Sequence, residues 1–181
     1  MRALVSGVRA LAASLALLML AGCASMSPSA TGTTATAELR NVGGQPVGTA
    51  TFAQVDDVVR IVIEAQGLPA GIKGVHIHEV GACEGPTFSS AGGHFNPLGK
   101  QHGSLNPQGP HAGDLASITI GADGKGRMET TTQLITLGSG STSLFDANGS
   151  ALIVHAAPDD FRTDPTGNSG ARIACGVISK K

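Results

Sequence analysis

Two histidines that alternate with apolar residues constrain this chain more than any other stretch. The segment Val75–His78 reads Val-His-Ile-His, and Cys83 follows five positions after its end. On an extended strand, side chains two residues apart project from the same face. We therefore expect His76 and His78 to point together to one side, with the apolar residues buried on the other. Two imidazoles held side by side on a rigid strand provide half of a metal site.

The rest of the chain consists of short apolar segments separated by turns. Only 5 aromatic residues occur, all Phe, against 26 Gly, and this composition favours strands and turns over a helical bundle. The predicted strands are Thr36–Val42, Val47–Gln54, Val58–Ala65, His76–His78, Leu115–Ile120, Lys125–Thr132, Ser150–His155 and Ala171–Ile178. Short antiparallel strands at this spacing predict an all-β fold, an eight-stranded Greek-key barrel or sandwich with two long functional loops.

The two long loops cover residues 80–114 and 156–170 and contain little that would form a core. Loops of this length in a compact domain are usually functional or disordered, and here the histidines favour function. The first loop contains three histidines and an aspartate: His94, His102, His111 and Asp114. Three imidazoles and a carboxylate suit a tetrahedral zinc ion, and a shell with no position for water predicts a structural site.

His155 ends a predicted strand and adds a third ligand to His76 and His78. An all-imidazole set suits copper as well as zinc, but three ligands are one short of a saturated site. If one imidazolate is shared through both ring nitrogens, the 6 histidines and Asp114 serve two adjacent metal ions. A lone histidine is more often a surface or hydrogen-bonded residue than a ligand. Seven residues that complete two complementary sets favour the metals.

Residues 1–22 have the pattern of an export signal, with two arginines followed by an apolar run from Leu11 to Leu20. The run is short for a membrane span, which takes about 20 residues. It closes with Leu-Ala-Gly before Cys23, which resembles the bacterial lipoprotein signal box. We therefore expect Cys23 to be lipidated. A simple secretory signal that happens to contain a cysteine is the alternative.

Residues 23–35 are small and polar, which predicts a lipid-anchored flexible tether. The folded domain is expected over residues 36–181. Ala24 rather than Asp follows the cysteine, which in a bacterium with two membranes favours the outer membrane. The predicted location is the periplasmic side of the cell envelope, with no membrane contact other than the anchor.

Export also decides the redox context of the other two cysteines. With Cys23 assigned to lipid, Cys83 and Cys175 remain as a pair in an oxidising compartment, where a disulfide can persist. Two buried free thiols are the alternative. The formal charge of -1 gives no basic surface for nucleic acid. No long apolar interface stretch is identifiable, so a monomer and a homodimer both fit the sequence.

These motifs resemble the copper–zinc superoxide dismutases of the bacterial exported type over roughly residues 35–180. The segment Gly-His-Phe-Asn-Pro around His94 matches the bridging histidine, and Gly-Ala-Arg-Ile-Ala-Cys matches the segment with the arginine beside copper. The resemblance implies copper ligands His76, His78, His94 and His155, zinc ligands His94, His102, His111 and Asp114, and a disulfide between Cys83 and Cys175. It also implies a flattened eight-stranded Greek-key barrel.

The activity that the resemblance implies is dismutation of superoxide to oxygen and hydrogen peroxide by a redox-cycling copper. His94 would join copper to a structural zinc and deliver a proton, and Arg172 would attract and orient the anionic substrate. Asp159 matches an aspartate that links the two metal sites through their histidines. Other candidates near the channel are Thr166 and, because the loop 156–171 has no lysine, Lys73 or Lys100 as steering charges.

Two other classes of protein stay open on sequence alone. One is a non-enzymatic copper- and zinc-binding envelope protein on the same fold, and the other is an anchored β-domain whose histidines serve only stability. In the second case Arg172 is a solvated charge at a strand end, and Asp159 is a turn residue beside Pro158. Loss of a copper ligand or of the arginine would favour these classes, and here the set is complete.

Overall fold

The computed structural model describes residues 32–181, and this range is almost entirely β-structure. Its strands are β1 Thr34–Asn41, β2 Pro46–Val55, β3 Val58–Ala65, β4 Gly71–Lys73, β5 Val75–His78, β6 Ile118–Ile120, β7 Gly126–Thr132, β8 Ala151–His155, β9 Arg172–Val177 and β10 Ser179–Lys180. A single 3-10 turn at Ser89–Ala91 is the helical element of the described range. The predicted all-β class is therefore confirmed.

The predicted signal peptide, Cys23 and most of the predicted tether lie outside the described residues. Within residues 32–181, no helix has the length and apolar character needed to cross a membrane.

Most strands belong to one curled antiparallel sheet with the order β5-β8-β9-β1-β2-β3-β7, and β10 pairs beside β1. The strands β4 and β6 form a separate antiparallel ladder. This ladder links the two ends of the large sheet. β4 continues into β5 across Gly74, and β6 turns into β7 through a hairpin in which the Gly121 N–H donates to the Lys125 carbonyl at 2.8 Å.

Alternation along the strands separates the core from the surface. In β3, Ile61 and Ile63 are buried and lie opposite Phe52 and Ala50 of β2, so the cross-strand pairs fill the interior. On the outer face, Arg60 reaches across to β7 and bonds Glu129 at 2.6 Å. The structure gives β3 the bounds that its alternation predicted.

Three connections differ from the sequence-based prediction. The predicted strand Leu115–Ile120 begins only at Ile118, because the residues before it belong to the metal-binding loop. The short strand β4, which lies between the predicted strands Val58–Ala65 and His76–His78, was not predicted. Residues 133–150 form a third long connection, and three of their apolar side chains enter the core: Ile135, Leu137 and Leu144. That connection packs against the curled sheet through these side chains. Its backbone is held by Gln54 of β2, whose Oε1 accepts the Leu137 N–H at 2.6 Å.

Pairing of β5 with β8 and of β8 with β9 places the site. His155, at the end of β8, lies opposite Arg172, at the start of β9. Both faces of β5 are buried: Val75 and Ile77 pack in the core, and the loops between β5 and β6 and between β8 and β9 cover the histidine face.

Candidate metal centre

The first cluster joins two strands and one loop. His76 and His78 of β5, His155 of β8 and His94 of the following loop offer ligand atoms that lie within 4.8 Å of one another. Three of their ring nitrogens are buried without a hydrogen-bond partner in the described chain: His76 Nδ1, His78 Nε2 and His155 Nε2. Because nearly all buried polar atoms in proteins are hydrogen-bonded, three such atoms in one cluster indicate a place for a metal ion.

The other ring nitrogen of each of these three histidines has a partner. His78 Nδ1 donates to the Gly92 carbonyl at 3.0 Å, and His155 Nδ1 donates to the Gly170 carbonyl at 3.1 Å. His76 Nε2 donates to Asp159 Oδ2 at 2.7 Å. These bonds fix each ring's tautomer and orientation, so a lone pair on the opposite nitrogen faces the cluster.

Burial lowers the pKa of His78, His155 and His94. It lowers the pKa of His78 to about 2 and the pKa of His155 to about 3, and in both cases the positive charge of Arg172 acts in the same direction. Burial also lowers the pKa of His94 to about 4, against the opposing effect of its hydrogen bond to Asp114. A metal ligand must be deprotonated, and these three rings meet that condition at neutral pH.

The second cluster is centred on Asp114. Its Oδ1 lies 3.0 Å from His94 Nδ1, 3.1 Å from His102 Nδ1 and 3.3 Å from His111 Nδ1. The Nδ1 atoms of His94 and His111 lie 3.4 Å apart. A tetrahedron with metal–ligand bonds of about 2.0–2.1 Å has edges of about 3.3 Å. One carboxylate oxygen with two lone pairs cannot accept three hydrogen bonds of equal quality, so these four atoms fit the corners of a zinc site better.

His76 also lies within reach of the second cluster. Its Nε2 is bonded to Asp159, however, and its Nδ1 belongs to the first cluster. We therefore assign His111, whose Nδ1 contacts both His94 and Asp114, to the second cluster.

Charge within the second cluster favours a cation. Burial lowers the pKa of His102, but its hydrogen bonds to Asp114 and Asp159 raise it more, to a net value of about 9. Burial raises the pKa of Asp114, while the hydrogen bonds from three histidines and the Gly103 N–H hold it far below its usual range. In the metal-free site, the proton on His102 therefore supplies the positive charge that a bound metal ion would supply.

Two residues connect the clusters. His94 belongs to both of them, and its ring centre lies 4.0 Å from that of His76. Asp159 is 6% exposed and binds a histidine of each cluster, His76 through Oδ2 at 2.7 Å and His102 through Oδ1 at 2.9 Å. Burial raises the pKa of Asp159, but these bonds and the Phe161 N–H lower it well below its usual range. Asp159 is thus an anionic link and not a solvated turn residue.

A cavity of about 650 Å³ opens over the first cluster, and its lining includes His78, His94, His155, Thr166 and Arg172. The arginine is half-buried, and its guanidinium donates to the carbonyls of Phe88 and Gly92, both at 2.6 Å. Burial lowers its pKa, yet a guanidinium stays charged at any pH the protein meets. A fixed cation therefore stands beside an open metal position.

The two lysines considered as steering charges do not line this cavity. Lys73 is buried, and its Nζ donates to the Ala156 carbonyl at 2.8 Å. Lys100 is exposed on the loop outside the lining. Neither lysine is therefore part of the cavity wall, and Arg172 is the cation that lines the cavity within the described range.

The structure pairs Cys83 with Cys175 in a disulfide with Cα atoms 5.7 Å apart. The bond joins the loop after β5 to β9. The predicted pairing is confirmed, and the alternative of two free thiols is wrong.

Sequence reasoning missed several parts of the site. The carbonyls of Gly92 and Gly170 orient two histidines, but a backbone acceptor leaves no signal in residue identity. Gly167 packs against Asp159 and His102 so closely that a Cβ would collide with both. Asp164 accepts the His102 N–H at 2.6 Å, and its only sequence signal is an acidic residue in a loop rich in Asp.

A curled antiparallel β-sheet that carries two adjoining imidazole clusters, one closed and one open to a cavity, defines a class of protein built around a binuclear metal centre. Comparison with known proteins specifies the family. A family model described as copper/zinc superoxide dismutase (SODC) matches residues 47–178. The chain belongs to the copper/zinc superoxide dismutase family, a family of oxidoreductases whose cofactors are copper and zinc.

Individual relatives agree with this assignment. The chain is 49% identical over 144 residues to the Cu-Zn superoxide dismutase 2 of Aquifex aeolicus (strain VF5), covering 78% of this chain and 84% of that protein. It is 46% identical over 144 residues to the superoxide dismutase-like protein YojM of Bacillus subtilis (strain 168), covering 78% and 74%.

Solved structures show the same fold. A crystal structure of a SOD-like protein from Bacillus subtilis superposes with a TM-score of 0.74 at 44% identity, covering 78% of this chain and 95% of that chain. Its double mutant, in which a tyrosine and a proline are replaced by histidines, gives a TM-score of 0.72 at 46% identity and covers 78% and 94%.

Proposed function

We propose that this protein is an exported superoxide dismutase that converts superoxide to oxygen and hydrogen peroxide in the bacterial cell envelope. The observation that carries the proposal is the set of three buried ring nitrogens without hydrogen-bond partners, which belongs to a cluster beside an open cavity and a fixed arginine. Two superoxide ions and two protons give one oxygen and one hydrogen peroxide, so the site must supply both electron exchange and protons.

The donor sets support one metal in each cluster. Copper would be held by the four imidazoles of His76, His78, His94 and His155, and zinc would be held by His94, His102, His111 and Asp114. When bound, copper supplies one-electron exchange with superoxide, and zinc, which has no redox chemistry, holds its ligands in place. Asp159 stiffens both sets because it binds one histidine of each.

Arg172 draws the substrate into the cavity and orients it. Its two terminal nitrogens are held by backbone carbonyls of the disulfide-tied loop, so the cation keeps one position relative to His78 and His155. A small anion entering the cavity is attracted by this charge before it reaches the imidazoles. Thr166, in the wall of the same cavity, limits its width.

His94 is the proton carrier in this proposal. It is the most exposed of the six histidines at 8%, and it lines the cavity. Its Nδ1 faces Asp114 at 3.0 Å, which leaves Nε2 for the first cluster, and in this proposal Nε2 would alternate between binding copper and carrying a proton to the product.

The alternative of a non-enzymatic metal-binding protein lacks support in this chain. A SOD-like protein from Bacillus subtilis has been solved with two histidines introduced by mutation. Here all 6 histidines already belong to one or both clusters.

The test is a superoxide-removal assay on protein loaded with copper and zinc, with the metal content measured in parallel. We expect rapid removal by the wild type, and loss of both copper and activity in His155→Ala with zinc retained, since His155 belongs to the first cluster alone. Free copper at equal concentration and a zinc-only sample are the controls. If loaded wild type removes superoxide no faster than free copper, the enzyme proposal fails.

We further propose that residues 1–22 are a lipoprotein signal peptide, that Cys23 carries the lipid, and that residues 23–35 tether the domain 36–181 to the outer membrane. In a bacterial host, the wild type should partition into the detergent phase and Cys23→Ser into the aqueous phase, with equal activity in both. Equal partitioning of the two forms would contradict the anchor and leave the enzyme proposal standing.

A further inference from the structure

Five of the six histidines have an explained second ring nitrogen. His76 and His102 donate theirs to Asp159, and His78 and His155 donate theirs to backbone carbonyls. In the proposed function His94 uses both nitrogens for metals. A metal-ligating histidine usually donates its other N–H to a carboxylate, a carbonyl or water. His111 is therefore the ring whose partner is still to be identified.

Asp164 is the carboxylate that stands beside it. The distance from Asp164 Oδ1 to His111 Nε2 is 3.5 Å, and the same oxygen accepts the backbone N–H of His102 at 2.6 Å. One oxygen thus approaches two residues of the second cluster from outside. The Asp164 side chain is 44% exposed, so it is a rim residue and not a metal ligand.

The same segment forms part of the cavity wall. Pro165 and Thr166 follow Asp164 directly, and both line the cavity over the first cluster. Earlier in the segment, the Phe161 carbonyl accepts the Leu105 N–H at 3.0 Å. The loop after β8 therefore contacts His102 and the residues that follow it. Of these contacts, the one made by Asp164 is closest in sequence to Pro165 and Thr166 of the cavity wall.

We propose that Asp164 is a positioning residue that holds two proposed zinc ligands, His102 and His111, and through its neighbours sets the wall of the substrate cavity. This inference rests on the proposed function for the identity of the metals, but its first readout does not depend on activity. Asp159 binds the ring of His102, and Asp164 binds the backbone N–H of the same residue.

Zinc affinity of the copper-free protein, measured by competition with a chromophoric chelator, is the first test. Loss of an outer partner of a metal ligand commonly lowers affinity about 10–100-fold. We expect a loss of this size in Asp164→Ala. Asp164→Asn should lose less, because its amide oxygen still accepts the His102 N–H.

The matched control is Asp160→Ala. Asp160 lies in the same loop and is exposed, but its hydrogen bonds go to residues of its own segment, among them Thr163 and Asn168. We expect wild-type zinc affinity in this variant. Cobalt(II) placed in the zinc site gives a second readout, because its visible absorption follows the ligand geometry. The spectrum should change in Asp164→Ala and stay unchanged in Asp160→Ala, which a general loss of stability would not produce.

Zinc affinities within twofold of wild type in both Asp164 variants, with unchanged cobalt spectra, would overturn the proposal. If Asp164→Ala does not fold, Asp164→Asn with its cobalt spectrum decides the question. The second part is tested by the superoxide rate of fully loaded Asp164→Ala, which we expect to fall below that of Asp160→Ala. An unchanged rate beside weakened zinc would overturn the link to the cavity wall.

Failure of this inference is distinguishable from failure of the proposed function. Inactive wild-type protein with weakened zinc binding in Asp164→Ala would reject the enzyme and keep the positioning residue. Active wild-type protein with unaffected zinc binding would do the reverse.

Discussion

Most histidines of this site are held by a second contact besides the nitrogen that they would offer to a metal. Asp159 shows this most directly, because it has no room to move between His76 and His102. Around it the packing is equally close, since a Cβ on Gly167 would meet both the Asp159 carboxylate and the His102 ring. Glycine is needed at this position for space as well as for its φ of 60°.

Gly167→Ala should therefore damage the metal site. We expect it to separate Asp159 from His102 and to lower the affinity for zinc about 10–100-fold. Gly99→Ala is the matched control, because Gly99 has the same φ of 60° but no atom within 4 Å of the added Cβ. Both variants carry a similar backbone strain of about 1–2 kcal/mol. Equal zinc affinity in the two variants would show that the collision does not matter.

The buried histidines also predict how acid affects the metal-free protein. His78 and His155 have folded pKa values of about 2 and about 3, because burial disfavours their charged form. In the unfolded chain they take up protons near pH 6.5. Between these values the unfolded state binds more protons, so the free energy of unfolding falls as the pH is lowered.

The expected loss is at most about 1.4 kcal/mol per pH unit for each of these two histidines. It should begin near pH 7 and continue to about pH 4. Urea unfolding of chelator-treated protein at pH 7.5 and pH 5 measures it, and a His78→Gln variant should show a shallower dependence on pH. A stability that is flat over this range would contradict the low pKa values.

At the scale of elements, the loop between β5 and β6 depends on its attachments. The disulfide from Cys83 joins it to β9, and the carbonyls of Phe88 and Gly92 join it to Arg172. The loop carries three of the second cluster's histidines and little regular structure, so these attachments replace the strand pairing that it lacks.

A variant with both Cys83→Ser and Cys175→Ser tests that dependence. A bridge with a sequence separation of 92 stabilises by about 4–5 kcal/mol when it acts through chain entropy, and we expect the free energy of unfolding to fall by up to this amount. The superoxide rate should fall as well, because Arg172 loses fixed partners. Denaturant unfolding and the activity assay measure these effects. Wild-type protein treated with reductant should match the variant, and an unchanged rate in both would separate the disulfide from the arginine.

Sequence patterns predicted those strands in which the side chains alternate regularly between the core and the surface. The alternation of buried and exposed residues in β3 predicted its bounds. The strand proposed from Leu115 failed because its first three residues belong to the metal-binding loop. The connection 133–150 was not recognised as part of the core, since Ile135, Leu137 and Leu144 follow no strand period.

The residues of the site also differ in whether the sequence predicts their role. Metal-ligating side chains have few alternative uses when several occur together, so the histidines were identifiable from their number and spacing. Gly92 and Gly170 act through carbonyls that every residue has, and Asp164 acts through a neighbour that only the folded chain brings near. Such contacts depend on tertiary structure and have no local pattern.

At the scale of the molecule, the net charge is small, and Arg172 is the cation that lines the cavity within the described range. The net charge of -1 neither attracts nor strongly repels superoxide, and the loop beside the cavity is rich in aspartate. In the proposed function, steering within the described range therefore depends on Arg172, the cation that lines the cavity. This differs from an enzyme that spreads the same task over several basic residues.

Arg172→Ala should lower the superoxide rate and its dependence on salt. Removing one half-buried charge from the approach of an anion costs about 1–2 kcal/mol, or about five- to thirtyfold in rate. Salt screens such an interaction, so the rate of the wild type should fall with ionic strength and that of the variant should fall less. Arg162→Ala, which removes an exposed charge from the neighbouring loop outside the cavity lining, is the control. Equal salt dependence in all three proteins would contradict a guiding role.

The Gly92 carbonyl has a consequence for how this protein tolerates change. It accepts hydrogen bonds from both His78 Nδ1 and Arg172 Nη2, so one atom sets the spacing between a metal-ligand ring and the substrate guide. No point mutation deletes a backbone oxygen. Substitutions that leave the backbone in place therefore do not change this spacing. It is lost only when the whole segment is displaced, so it depends on the path of the chain and not on the identity of a side chain.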